Sequence, residues 1–183
     1  MSKIHILSST DRPNSNALKV SNYANSLLSE YAETEVFSLK DFPFEDVVGG
    51  KYGKDLPAVK EFNERFLDAD GFLFVVPEYN GGFPGVLKLF IDYLPFPQAL
   101  AKQPVSFIGE AAGSFGALRP VEHLQQILVY RKALIYPERM FIQGVNDNFD
   151  EEKGLSSDML QGLLEDQIEG FATFVEQNLQ LAD

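Results

Sequence analysis

The segment Gly71-Phe72-Leu73-Phe74-Val75-Val76 constrains this chain more than any other. Every position is apolar, so neither face of a strand built from it can meet water. That is the mark of a central strand in a parallel sheet, covered on both sides. Parallel neighbours require crossovers, and right-handed crossovers place helices on both faces. The rest of the chain must therefore supply alternating strands and helices.

It does so in order. Ile4-His5-Ile6-Leu7 reads as a first strand, and Ser8 to Asn14 as its turn-rich exit. Ala17, Val20, Ala24, Leu27, Leu28 and Tyr31 recur at helical spacing, with Asn14 or Ser15 as the cap. Thr34 to Leu39 alternates as a second strand, and 40–55 reads as a loop. A second helix starts at Leu56-Pro57 and ends at Leu67. After the central strand, Pro84-Gly85 opens a helix that Pro95 stops. Val105 to Ile108 is a fourth strand, 109–116 a glycine- and alanine-rich loop, and Val121 to Val129 a helix. Ala133 to Tyr136 and Arg139 to Ile142 supply a last, broken strand, and Asn146 to Lys153 is polar and reads as exposed. Leu160, Leu163, Leu164, Ile168, Phe171, Phe174 and Val175 trace one face of a final helix. This alternation is that of an open, doubly wound α/β sheet. The 183 residues, with no internal repeat or linker, read as one domain over 1–183.

Composition narrows the function. There is no cysteine, so thiol nucleophiles, thiolate metal sites and disulfides are excluded and redox chemistry needs a bound cofactor. The two histidines, His5 and His123, lack metal-ligand spacing. A formal net charge of −12 argues against nucleic acid or an anionic membrane as partner. No apolar run approaches the ~20 residues that span a bilayer. The start Met1-Ser2-Lys3 has no secretory pattern, so a cytoplasmic protein is expected.

Sheets of this kind bind ligands beyond the carboxyl ends of their strands, where strand order reverses. Three exit loops deserve weight there. The first, Ser8 to Asn16, feeds a helix whose N-terminal amides and dipole suit a phosphate, with Ser9, Thr10, Ser15 and Asn16 as further donors and Arg12 as its cation. An ordinary capping loop has the same residues. The second, Pro77-Glu78-Tyr79-Asn80-Gly81-Gly82-Phe83-Pro84-Gly85, offers backbone for close approach to a flat heterocycle, Tyr79 to lie against its ring and Asn80 for its edge. A plain left-handed turn at Asn80-Gly81 is the bland alternative. The third, Glu110 to Gly116, has small residues for close approach, and Glu110 is expected to point away or to solvent.

The chain resembles the NADPH-dependent FMN reductase family, flavodoxin-like proteins that include quinone, chromate and azo-dye reductases. Pro77-Glu78-Tyr79-Asn80-Gly81-Gly82-Phe83-Pro84-Gly85-Val86-Leu87-Lys88 with Ile91-Asp92-Tyr93-Leu94 carries the likeness, joined by Gly113-Ser114-Phe115-Gly116-Ala117-Leu118-Arg119. The resemblance implies a five-stranded parallel sheet of order 2-1-3-4-5 with helices on both faces. It implies FMN as cofactor and NADPH or NADH as electron donor. Ser9, Arg12, Ser15 and Asn16 fall where the family binds the phosphate. Pro77, Glu78, Tyr79, Asn80 and Gly81 fall where it holds the isoalloxazine and ribityl chain, and Gly113, Ser114 and Phe115 close the other side of the ring. Two departures mark the first loop: Ser8 stands in place of a glycine, and Asp11 precedes Arg12 as if the loop were one residue longer. Gly82 removes a small polar side chain from the second loop.

The expected activity is hydride transfer from nicotinamide to FMN and then to a small acceptor such as a quinone or free flavin. The flavin carries such chemistry, so no catalytic acid or nucleophile is required of the protein. A flavodoxin-like carrier serving a protein partner is the alternative. A phosphoacceptor regulator on the same fold is disfavoured, because Ser8-Ser9 and Pro77 stand where it needs acids. The family implies a homodimer or homotetramer, with Phe83, Phe96 and Phe115 as candidate contacts.

Overall fold

The computed structural model describes residues 1–182. The chain runs β1 (Lys3–Ser8), α1 (Asn16–Leu28), β2 (Glu33–Ser38), a short α2 (Phe44–Val47), α3 (Pro57–Leu67), β3 (Gly71–Pro77), α4 (Gly85–Tyr93), β4 (Pro104–Glu110), α5 (Leu118–Tyr130) and β5 (Leu134–Ile142). A helical turn α6 (Val145–Asn148), a two-stranded hairpin of β6 (Phe149–Asp150) and β7 (Gly154–Leu155), and the long α7 (Asp158–Ala182) complete it. Five strands form one parallel sheet in the order β2-β1-β3-β4-β5. The strand order reverses between β1 and β3, and their carboxyl ends lead into the first and second loops.

β3 is buried at all seven positions, as its unbroken apolar run requires. Its side chains alternate between two cores. Phe72, Phe74 and Val76 join Phe66, Leu87, Phe90, Phe107 and Leu124 under α3, α4 and α5. Leu73 and Val75 join Ile4, Ile6, Ile108, Ala17, Val20, Ile168 and Phe171 under α1 and α7. Phe66, Phe72, Phe74, Phe90 and Phe107 are fully buried, each contributing roughly 2–3 kcal/mol through area removed from water. His5 is a core residue among Phe37, Phe66 and Phe72. Its Nδ1 lies 2.8 Å from the Phe66 carbonyl, which can only accept, so Nδ1 carries the proton.

Several segments differ from the sequence reading. α1 stops at Leu28, and Tyr31 lies in the turn beyond it, where Ser29 N–H bonds back to Asn25 and closes the helix. The 40–55 stretch holds α2 and a preceding single turn, Leu39–Asp41, because Leu39, Phe42 and Val47 are buried there. Residues 146–153 carry α6 and part of the β6–β7 hairpin. The last strand is one strand with a bulge: Val105 pairs with Ile135 and Phe107 with Arg139, so Tyr136, Pro137 and Glu138 face only Ser106. Pro137 has no N–H to give, and Gln167 from α7 fills the gap, its Nε2 donating to Ser106 Oγ and the Phe107 carbonyl at 2.9 Å each. Among the described residues no helix is long and apolar enough to cross a membrane, and no group of three potential ligands forms a metal site.

Candidate functional site

The second loop is built by its own backbone. Tyr79 N–H donates to the Gly82 carbonyl at 2.8 Å and Gly82 N–H to the Tyr79 carbonyl at 3.0 Å. Asn80 and Gly81 between them have φ of 54° and 74°, the pair of positive values that defines a type I′ hairpin turn. Asn and Gly are the residues that adopt it at least cost. The left-handed turn and the ligand-facing reading are therefore the same object: the turn points the Asn80 and Gly81 amides, which make no backbone hydrogen bond, away from the hairpin. A Cβ on Gly81 would also come within 3.0 Å of Arg119 Nη1, so Arg119 lies against the turn.

The first loop is held from outside. Ser8, Ser9 and Thr10 are fully buried. Ser9 N–H extends the sheet by donating to the Val75 carbonyl at 3.1 Å. Thr10 Oγ1 and the Tyr79 hydroxyl share a hydrogen bond of 2.9 Å, and the Arg12 guanidinium stacks 4.0 Å above the Tyr79 ring centre. Ser15, not Asn14, caps α1: its Oγ accepts from Leu18 N–H at 3.1 Å. Asn16 Nδ2 donates to Asn146 Oδ1 at 2.8 Å. The Ser8 hydroxyl is buried without a partner. Asp11 is exposed and lines a surface hollow with Lys40, Phe44 and Asp46.

The third loop is anchored at its roots and open at its tip. Ala111 N–H donates to the Ile142 carbonyl and Val145 N–H to the Ala111 carbonyl, at 3.0 and 2.9 Å. The loop returns over β4 so closely that a Cβ on Gly109 would lie 2.5 Å from the Gly116 carbonyl. Gly113 and Ser114 are exposed, and Phe115 is 69% exposed rather than packed in the core.

All three loops leave the same edge of the sheet, and β1, β3 and β4 that carry them are adjacent. Thr10 and Arg12 are brought onto Tyr79 directly, Pro77 and Glu78 precede Tyr79 in the chain, and Ser9 is tied to Val75, two residues before Pro77. Ser15 and Asn16 stand at the start of α1 and Gly113, Ser114 and Phe115 at the far side, after β4. One expectation is corrected. Glu110 does not reach solvent: it is 5% exposed, and burial pushes its carboxyl up to about 7. Arg12 covers one face of the Tyr79 ring. Sequence reading missed the Thr10–Tyr79 bond, Arg119 at the turn and Asn146 behind Asn16. None has a local signal, because each pair is far apart along the chain.

A flavin mononucleotide fits this edge. A phosphate needs amide donors and a cation, and the 13-residue α1 begins here beside Arg12. A ring edge needs fixed donors at an accessible turn, and the Asn80 and Gly81 amides supply them. Arg12 and Arg119 make no ion pair among the described residues, so both charges are available within an acidic chain.

The comparisons agree with this chemistry. The sequence profile of the NADPH-dependent FMN reductase family matches residues 2–147. An NAD(P)H-dependent FMN reductase of Pseudomonas aeruginosa is 36% identical over 125 residues, covering 66% of this chain and 67% of that protein. A quinone reductase of Escherichia coli is 35% identical over 147 residues, covering 76% of this chain and 77% of that protein. The flavoenzyme NAD(P)H:(acceptor) oxidoreductase FerB from Paracoccus denitrificans superposes with a TM-score of 0.82 over 97% of this chain and 99% of its own, at 20% identity, and so shares the flavodoxin-like fold. From the profile, the motif it covers and these relatives together, the chain belongs to the NADPH-dependent FMN reductase family.

Proposed function

We propose that this chain is a cytoplasmic NAD(P)H:quinone reductase that works through FMN held across the three loops. The observation that carries the reading is the Tyr79–Gly82 hairpin. Its two free amides are fixed by backbone bonds before any ligand arrives, so they cost no reorganisation when charge grows at a ring edge beside them. Bound FMN supplies a ring that takes hydride from a nicotinamide and returns the electrons to an acceptor.

The chain's own residues do the rest. The start of α1, with Ser9, Arg12, Ser15 and Asn16, binds the phosphate; the Ser15 hydroxyl accepts from Leu18 and keeps its proton to donate. Pro77, Glu78, Tyr79, Asn80 and Gly81 orient the ring, and Gly113, Ser114 and Phe115 close its other side. Arg12 does two jobs: its charge faces the phosphate while its plane braces Tyr79, which ties the phosphate seat to the ring seat. The two cores share one sheet, which supports reading 1–183 as a single domain.

A small quinone is favoured as acceptor because the E. coli and Burkholderia relatives are quinone reductases. A carrier that serves a protein partner is not favoured: the family is one of reductases, and the match to a Pseudomonas aeruginosa flavodoxin, at 16% identity, shows fold alone. A homodimer or homotetramer is part of the proposal. It is supported by Phe96 and Tyr130, which stack on one another at a 6.5 Å centroid distance and remain exposed beside a groove of about 720 Å³. Light scattering on the eluting protein reads that state.

The test of function is direct. Purified protein with FMN is mixed with NADPH or NADH and benzoquinone, and nicotinamide absorbance is followed against FMN and quinone without protein. Oxidation well above that background supports the reading; a rate equal to background overturns it.

A further inference from the structure

Arg119 stands at the loop edge, and no step assigned above uses its charge. It is the second residue of α5, and no side chain caps that helix. A cation there faces the positive end of the helix dipole, where it costs stability. Glu122, three residues on, has the spacing of a helical ion pair with it, yet the two form none. Arg65, Arg131 and Arg139 each donate to a named oxygen, while Arg119, exposed, donates to none among the described residues. Its guanidinium reaches the second loop instead: a Cβ on Gly81 would lie 3.0 Å from Nη1.

That contact puts the charge at a defined spot. Asn80 and Gly81 present amides that bond to no backbone carbonyl, and the FMN reading seats the ring edge on them. A guanidinium against Gly81 is beside that edge, and it is carried by α5 rather than by the hairpin. Arg12 lies elsewhere, 4.0 Å above the Tyr79 ring centre, and serves the phosphate in the same reading. The two arginines address different parts of one ligand.

We propose that Arg119 makes the site prefer reduced over oxidised FMN. The inference rests on the FMN reading. Hydride carries two electrons and one proton out of a nicotinamide, which is left as a cation, and the ring that accepts it gains one negative charge. The phosphate is present in both oxidation states, so the ring alone distinguishes them. A cation beside the ring edge favours the charged form and is nearly indifferent to the neutral one. The rest of the chain, at a formal net charge of −12, opposes the added charge and leaves this task to a local cation. Tighter binding of the reduced form raises the reduction potential of bound FMN, and each tenfold in the affinity ratio is about 30 mV for two electrons.

Apoprotein is titrated at pH 8 with oxidised FMN and, anaerobically, with reduced FMN. Wild type is compared with Arg119→Gln, Arg119→Lys and Arg65→Gln. Arg65 is in the last turn of α3, which leads into the start of β3 at the opposite edge of the sheet, so it controls for the loss of one charge. Arg119→Gln is expected to weaken reduced FMN about tenfold and oxidised FMN less than about twofold, with the bound potential about 30 mV lower. Arg119→Lys is expected to keep most of the wild-type preference and Arg65→Gln all of it. Added salt is expected to shrink the preference in wild type and not in Arg119→Gln. Riboflavin, which lacks the phosphate, is expected to show the same selective loss in Arg119→Gln. Equal weakening of both oxidation states overturns the proposal. So does a loss seen with FMN but not with riboflavin, or the same selective loss in Arg65→Gln. Failure of the wild type to bind either form overturns the FMN reading itself, a separate outcome.

Discussion

The first and second loops end neighbouring strands and follow opposite rules. The Tyr79–Gly82 hairpin is closed by its own two backbone bonds and by the φ values of Asn80 and Gly81. The first loop owes its shape to residues elsewhere: Val75 to Ser9, Tyr79 to Thr10 and Arg12, and Asn146 to Asn16. The hairpin is therefore a local device that a short motif can specify. The proposed phosphate seat is a tertiary one, since its geometry does not depend on its own sequence alone. The contrast predicts that damage to the hairpin stays in the ring seat, whereas damage to the first loop spreads to both.

The largest effect is expected at Glu110, the last residue of β4. In the folded chain Glu110 holds its proton up to about pH 7, and in the unfolded chain it loses it near 4.5. Its contribution is intact below pH 4.5 and is lost as pH rises through about 7, a total of about 3 kcal/mol. Glu110→Gln is thus expected to stabilise the apoprotein by up to about 3 kcal/mol at pH 9 and hardly at all at pH 4.5, read by urea unfolding. Equal stabilisation at both values would show that the acid is not buried as described. His5 works on the opposite limb. Burial lowers its imidazole below 6.5, so its contribution is intact above that value and lost as pH falls further.

Next is Gly81→Val. A β-branched residue at φ 74° beside Arg119 costs about 2 kcal/mol, and FMN affinity is expected to drop by more than tenfold while α1 capping is untouched. A wild-type affinity in this variant would break the contrast at its stronger end. Thr10→Val removes the bond to Tyr79 and leaves a hydroxyl to find water, an expected loss of about 1.5 kcal/mol. Paired with Tyr79→Phe in a double-mutant cycle, it should show coupling close to the single-variant loss; strict additivity would mean that the loops are independent. Smallest is Arg12→Ala, whose stacking on Tyr79 at an exposed position contributes about 0.5 kcal/mol to stability. FMN affinity should fall more than riboflavin affinity in this variant, because the lost charge faces the phosphate.

Much of the fold is legible along the chain for a physical reason. Gly71–Val76 states its burial at every position; along the final helix Leu164, Ile168, Phe171 and Val175 are buried as their spacing implies, while Leu163 of the same run is exposed; and Pro57 and Pro95 mark helix limits locally. What was not legible depends on partners distant in sequence. The bulge opposite Ser106 is filled by Gln167, some 60 residues on, and nothing near Ser106 announces it. Within the site, Asn80-Gly81 carries its own geometry, while Glu110 reads as a solvent acid because its neighbours Ala111, Ala112 and Gly113 are small. It stands between Pro77 of β3 and Ile142 of β5, a place that only the fold brings about.

The central claim is that the three loops hold one FMN against the Asn80-Gly81 hairpin. Titrating apoprotein with FMN at pH 6.5 while recording the visible flavin spectrum and its fluorescence tests it most directly. The account predicts a shifted, quenched flavin that saturates at one FMN per chain, with affinity lost in Gly81→Val. A spectrum that remains that of free FMN at every protein concentration would contradict it.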